Sequence, residues 1–163
     1  MSRAVIFLLP LTFIFFALAD ATRILPLPHP LKSFKITATQ NVGSCSYTVS
    51  IRTSCSSTSY TRDQISLAFG DAYGNQVYAP RLDDPYSRTF ERCSTDTFQI
   101  EGPCTYQVCY LYLYRSGSDG WKPESVTVYG YYTKSVTFYY NTFIPSGTWY
   151  GFNLCNGGAS ASA

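Results

Sequence analysis

The stretch Thr105-Tyr-Gln-Val-Cys-Tyr-Leu-Tyr-Leu-Tyr114 decides the fold class. In an extended chain successive side chains point to opposite faces, so Val108, Tyr110, Tyr112 and Tyr114 share one face and Cys109, Leu111 and Leu113 the other. Both faces are apolar or aromatic. Such a strand lies in the centre of a sheet, or has one face covered by something outside that sheet.

Working outward, the period of two recurs. Cys45, Tyr47, Val49 and Ile51 alternate with Ser46, Thr48, Ser50 and Arg52, and Ile65, Leu67 and Phe69 alternate with Ser66 and Ala68. Further strand-like runs cover 76–79, 97–100, 125–132, 135–141 and 148–154, separated by turn clusters such as Ser116-Gly-Ser-Asp-Gly120 and Pro145-Ser-Gly147. No stretch carries a sustained helical stripe. Eight or so short strands at this spacing predict an all-β sandwich or barrel.

The ends read differently. Arg3 followed by an apolar run to Leu18 and small residues up to Ala21 has the form of a secretory signal peptide, with cleavage after Ala19 or Ala21. Residues 1–21 are therefore set apart, and the remaining chain is expected outside the cell with no transmembrane helix. About 140 residues then remain, enough for one domain with its own core. Residues 22–41 are a Pro-rich leader and the start of the domain, 42–155 the domain itself, and Asn156–Ala163 a disordered tail with nothing to bury. Signal removal takes one base, Arg3, and one acid, Asp20, so the net charge stays at +2. Without clustered Lys and Arg there is no electrostatic footprint for nucleic acid.

Six cysteines, Cys45, Cys55, Cys93, Cys104, Cys109 and Cys155, predict three disulfides in an oxidising compartment. No C-x-x-C pair supports zinc, and the single histidine, His29, lies in the Pro-rich leader. Triad and Cys-His catalysis need a histidine base held by the scaffold, which disfavours both. Asp71, Asp83, Asp84, Glu91, Asp96, Asp119 and Glu124 leave a paired-carboxylate hydrolase conceivable, but a small packed sandwich offers little cleft. The expectation is a protein that is not an enzyme.

Five blocks in order resemble the PLAT (lipoxygenase homology) domain: 47–53, 63–71, 90–98, 109–114 and 120–128. With the signal peptide, the six cysteines and the ending Phe143-Ile-Pro-Ser-Gly-Thr-Trp-Tyr-Gly-Phe-Asn-Leu-Cys155, the chain is similar to the plant embryo-specific protein 3 family. The resemblance implies an antiparallel β-sandwich of two four-stranded sheets, and a non-enzymatic, apoplastic module of seed or embryo that binds a protein partner or a lipid surface. In such a sandwich the first and last strands are expected side by side. That sets one expected bridge, Cys45–Cys155, and beside it stand Cys55–Cys93 and the local pair Cys104–Cys109. Where the family has a Gly-Thr turn, this chain has Cys55-Ser-Ser-Thr-Ser-Tyr-Thr-Arg-Asp63, which asks for a different backbone path.

Calcium is the one cofactor the resemblance raises, with Asp63, Asp71, Asp83, Asp84 and Asp119 as candidate ligands if they converge at one rim. Asp71 and Asn75 are equally turn formers. Phe143, Ile144, Trp149 and Tyr150 around a Pro-Ser-Gly turn form the candidate binding surface. Trp121 is expected in the core. An alternative function, binding of cell-wall carbohydrate, rests on Tyr129, Tyr131, Tyr132, Tyr139 and Tyr140 as a flat platform for sugar rings.

Overall fold

The computed structural model describes residues 26–36, 43–82, 86, 88–130 and 133–155. The expected signal peptide and C-terminal tail, Asp83, Asp84, Tyr131 and Tyr132 lie outside the described residues. Period-two alternation becomes nine strands: β1 His29–Pro30, β2 Ser44–Thr53, β3 Gln64–Gly70, β4 Gln76–Ala79, β5 Thr95–Pro103, β6 Tyr110–Ser116, β7 Pro123–Tyr129, β8 Val136–Tyr139 and β9 Trp149–Asn153. They pair antiparallel in two sheets, one ordered β1-β9-β6-β3-β4 and the other β5-β2-β7-β8.

One sheet has five strands rather than four because the Pro-rich leader supplies β1. His29 lies opposite Gly151 and Pro30 opposite Tyr150. Proline lacks a backbone donor and is tolerated on an edge, which is where β1 sits.

The core lies between the sheets. Tyr47, Val49 and Ile51 of β2, with Val126 and Val128 of β7, face Ile65, Leu67 and Phe69 of β3, Leu111 and Leu113 of β6, and Phe152 of β9. Trp121 is fully buried beside Phe90, ring centroids 4.8 Å apart, and its indole N–H donates to Thr53 Oγ1 at 3.1 Å. The opening stretch splits in two. Strand β6 starts only at Tyr110, whereas Val108 packs into the core from the preceding loop. Leu111 and Leu113 face inward as the alternation requires, and Tyr110, Tyr112 and Tyr114 form part of the outer face.

The bridges correct two of the three expected pairs. Cys55 joins Cys93, but Cys45 joins Cys104 and Cys109 joins Cys155. The first long strand, β2, and the last strand, β9, belong to different sheets, so Cys45 and Cys155 are not neighbours. Instead each bridge ties adjacent strand ends. Cys45 opposes Gly102 on β5, just before Cys104, and the Leu154 amide donates to the Cys109 carbonyl at 2.8 Å where β9 leaves β6.

Candidate functional site

Strand β3 separates two rims. Asp63 precedes it and Asp71 follows it, so seven intervening residues put the two carboxylates about 25 Å apart along the strand. They cannot share an ion. Asp71 closes the β3–β4 turn: one oxygen accepts the amides of Tyr73 at 2.9 Å and Asn75 at 3.1 Å. The other accepts Asn75 Nδ2 at 2.7 Å and, from the β5–β6 loop, the Tyr106 amide at 2.8 Å. Four donors thus converge on a carboxylate that is 3% exposed. Gly74, at φ +91°, supplies the left-handed residue the turn requires.

This clamp holds two loop tips together. Tyr73 and Tyr106 project from it with their rings 4.9 Å apart, 77% and 66% exposed. Tyr129, at the end of β7, is also exposed at the same end of the sandwich. Neither Tyr73 nor Tyr106 was among the expected surface residues. The signal was there: Tyr73 occupies the tip of the Asp71–Asn75 turn, and Tyr106 the middle of the short Cys104–Cys109 loop.

At the opposite rim Asp63 is buried and accepts the amides of Asp119 and Gly120, each at 3.1 Å, and the Arg115 guanidinium. Burial pushes its carboxyl up, but the Asp119 amide, the Arg115 hydrogen bond and the Gly120 amide outweigh that and hold it below the usual carboxylate range. Arg115 also donates from Nε to the Ile144 carbonyl at 2.9 Å. The Asp119 carboxylate caps the Arg62 amide at 2.9 Å.

The expected binding surface is dispersed. Ile144 is 1% exposed and belongs to the core, Tyr150 packs against the core from β9, and Trp149 points to the outer face of the five-stranded sheet. Phe143 alone is well exposed, at 50%. The described members of the sugar platform do not come together either: Tyr140 is buried, and Tyr129 and Tyr139 stand at opposite ends of the β7–β8 pair, where Ser125 faces Tyr139.

A two-sheet antiparallel sandwich of this kind, with its exposed side chains on rim loops, is a PLAT-like domain. A coral 8R-lipoxygenase, described as calcium-activated through a C2-like domain, superposes at TM-score 0.54 with 16% identity over 65% of this chain and 17% of its own. The alpha toxin of Clostridium absonum superposes at TM-score 0.55 with 21% identity over 71% of this chain and 33% of its own. This chain therefore corresponds to a fraction of those larger proteins, and the likeness is one of fold.

The family follows from sequence. The model for embryo-specific protein 3 (ATS3) matches residues 32–155, and the chain belongs to that family. Embryo-specific protein ATS3B of Arabidopsis thaliana is 61% identical over 142 residues, covering 86% of this chain and 75% of its own. Embryo-specific protein ATS3A of the same plant is 64% identical over 131 residues, covering 80% and 73%.

The described residues do not fit a rim calcium site. Asp71 spends its oxygens on four internal donors, Asp63 on Arg115 and two amides, and the β3 strand keeps them apart. Among the described residues no three potential metal ligands cluster.

Proposed function

We propose that the chain is a secreted, non-catalytic module that docks on a lipid surface outside the cell through the rim carrying Tyr73 and Tyr106. The carrying observation is the ring pair itself, exposed at two loop tips yet fixed at the backbone by the Asp71 carboxylate. Tyrosine suits a membrane interface, where the ring body enters the acyl boundary and the hydroxyl stays wet. Preorganised tips also lose little conformational entropy on docking.

A non-catalytic role is supported by the chemistry of the side chains. His29, the single histidine, stands exposed on an edge strand against the Tyr112 ring, and the most buried acids are consumed in internal hydrogen bonds. With Asp63 and Asp71 so committed, docking is expected to be insensitive to chelators.

Flotation of the full mature chain with phosphatidylcholine–phosphatidylserine vesicles tests the reading. Two rings burying roughly 40 Å² of apolar surface each contribute about 2 kcal/mol. The double variant Tyr73→Ala/Tyr106→Ala should therefore lower partitioning by at least about tenfold, while Phe143→Ala at the other rim should not. Equal flotation of all three proteins would sink the proposal.

A further inference from the structure

The outer face of the five-stranded sheet is an aromatic platform with a lid made of the chain's own leader. In register across it lie Tyr78, Ala68, Tyr112, Gly151 and His29, and beside them Ser66, Tyr114 and Trp149. Ala68, Ser66 and Gly151 leave low ground between aromatic ridges. Trp149 spans that ground, 5.4 Å from Tyr114 and 6.1 Å from Tyr78, and Phe34 of the leader stacks on it at 4.3 Å and 30°. Phe34 and His29 also pack on the Tyr112 ring, at 5.9 and 6.1 Å. None of the outward-facing residues in these rows is charged.

Two features mark the leader as an exchangeable occupant. Its backbone hold is slight, although Phe34 is stacked and Pro28 buried: Pro26, Pro28 and Pro30 offer no backbone donor, β1 is two residues long, and past it the Leu31 amide donates to the Trp149 carbonyl at 2.9 Å. Beneath it one group is left unsatisfied. The Tyr112 hydroxyl is buried and has no hydrogen-bond partner among the described residues. Burial pushes that phenol up, so it stays a protonated donor at physiological pH and lacks only an acceptor.

We propose that this face is a docking site for a proline-rich peptide from a partner protein, and that residues 26–34 are its resident self-ligand. A left-handed polyproline segment suits a flat, uncharged aromatic track, because its stiff backbone costs little to order and its carbonyls have no internal donors. A partner whose register brings one of those carbonyls over Tyr112 satisfies the hydroxyl that the leader leaves bare. The face is separate from the Tyr73–Tyr106 rim and does not depend on its role.

The test uses the full mature chain and two fluorescent peptides, one copying residues 26–36 and one an oligoproline of the same length, followed by anisotropy. Wild type, with its face occupied, should bind weakly. Phe34→Ala, which loosens the self-ligand and frees a larger fraction of the face, should bind about tenfold more tightly. Because the leader leaves the Tyr112 hydroxyl bare, adding Tyr112→Phe to Phe34→Ala should not change binding of the leader copy, but should reduce about fivefold the binding of oligoproline, which can slide to place a carbonyl over that hydroxyl, the loss of one hydrogen bond with the ring kept. Absence of peptide binding to Phe34→Ala, or oligoproline binding that is indifferent to Tyr112→Phe, overturns the proposal. Binding of neutral β-glucan oligosaccharides to Phe34→Ala without peptide binding also overturns it, and gives the face to sugars. If Phe34→Ala does not fold, hydrogen exchange of wild type decides: excess peptide must accelerate exchange of the Leu31 amide, and unchanged exchange counts against the proposal.

Discussion

Asp71 is where one residue does most to shape the candidate site, since its carboxylate fixes the β3–β4 turn and reaches the Tyr106 amide 35 positions away. Replacing it with Ala orphans four donors, and hydrogen bonds to an ionised group are worth roughly 1.5–3 kcal/mol. Asp71→Ala should therefore lower unfolding stability by about 3 kcal/mol in denaturant titration and weaken vesicle flotation even where the chain remains folded. Its turn-forming role was legible from Gly70-Asp71 and Gly74-Asn75, because that chemistry is local. The link to Tyr106 was not, because it depends on which loops share a rim. Gly117 makes a similar point at the other rim. Its φ is +146°, and an added Cβ would collide with the Asp63 carboxylate, so Gly117→Ala must displace the buried Asp63–Arg115 pair. A loss of at least about 3 kcal/mol is expected in the same titration, comparable to breaking a buried ion pair.

Strands were the easiest elements to read. The alternation of Tyr47, Val49 and Ile51, and of Ile65, Leu67 and Phe69, states which face is buried, and the structure places all six in the core. What alternation does not state is sheet membership, and the bridges depend on it. The resemblance led to the expectation that the first and last strands meet; instead β9 pairs with β6 and β2 with β5, which redirects Cys155 to Cys109 and Cys45 to Cys104. Strand β1 is hidden in the sequence because alternate prolines look like a linker until an edge is available to receive them. The Cys109–Cys155 bridge closes a 46-residue separation, for which restriction of the unfolded chain is worth about 4 kcal/mol. The double variant Cys109→Ala/Cys155→Ala should lose about that much in thermal unfolding. A loss below about 1 kcal/mol would mean the β6–β9 pairing needs no staple.

At the scale of the whole molecule, acid should unfold the sandwich through Asp63. Its carboxyl is held below the usual range in the folded state, so its contribution is present above the unfolded value near 3.9 and is lost as pH falls through the lower folded value. Melting temperature should thus fall on acidification below about pH 4, and Asp63→Asn, though less stable at neutral pH, should fall less steeply. Membership of the embryo-specific protein 3 family and the PLAT-like fold were both legible, since five blocks in order carry them. The exposed surface was harder, because Phe143, Ile144, Trp149 and Tyr150 look alike in sequence and are sent by strand parity and packing to solvent, core and outer face.

A rim of fixed aromatic tips that meets a lipid surface is the central claim, and one spectrum tests it. A Tyr106→Trp variant of residues 22–163 should show an emission blue shift when phosphatidylcholine–phosphatidylserine vesicles are added, with quenching by bromine placed on the acyl chains. The buried Trp121 and strapped Trp149 of wild type serve as the unshifted reference. Emission from the introduced indole that stays at its aqueous wavelength, unquenched at saturating lipid, would contradict the claim.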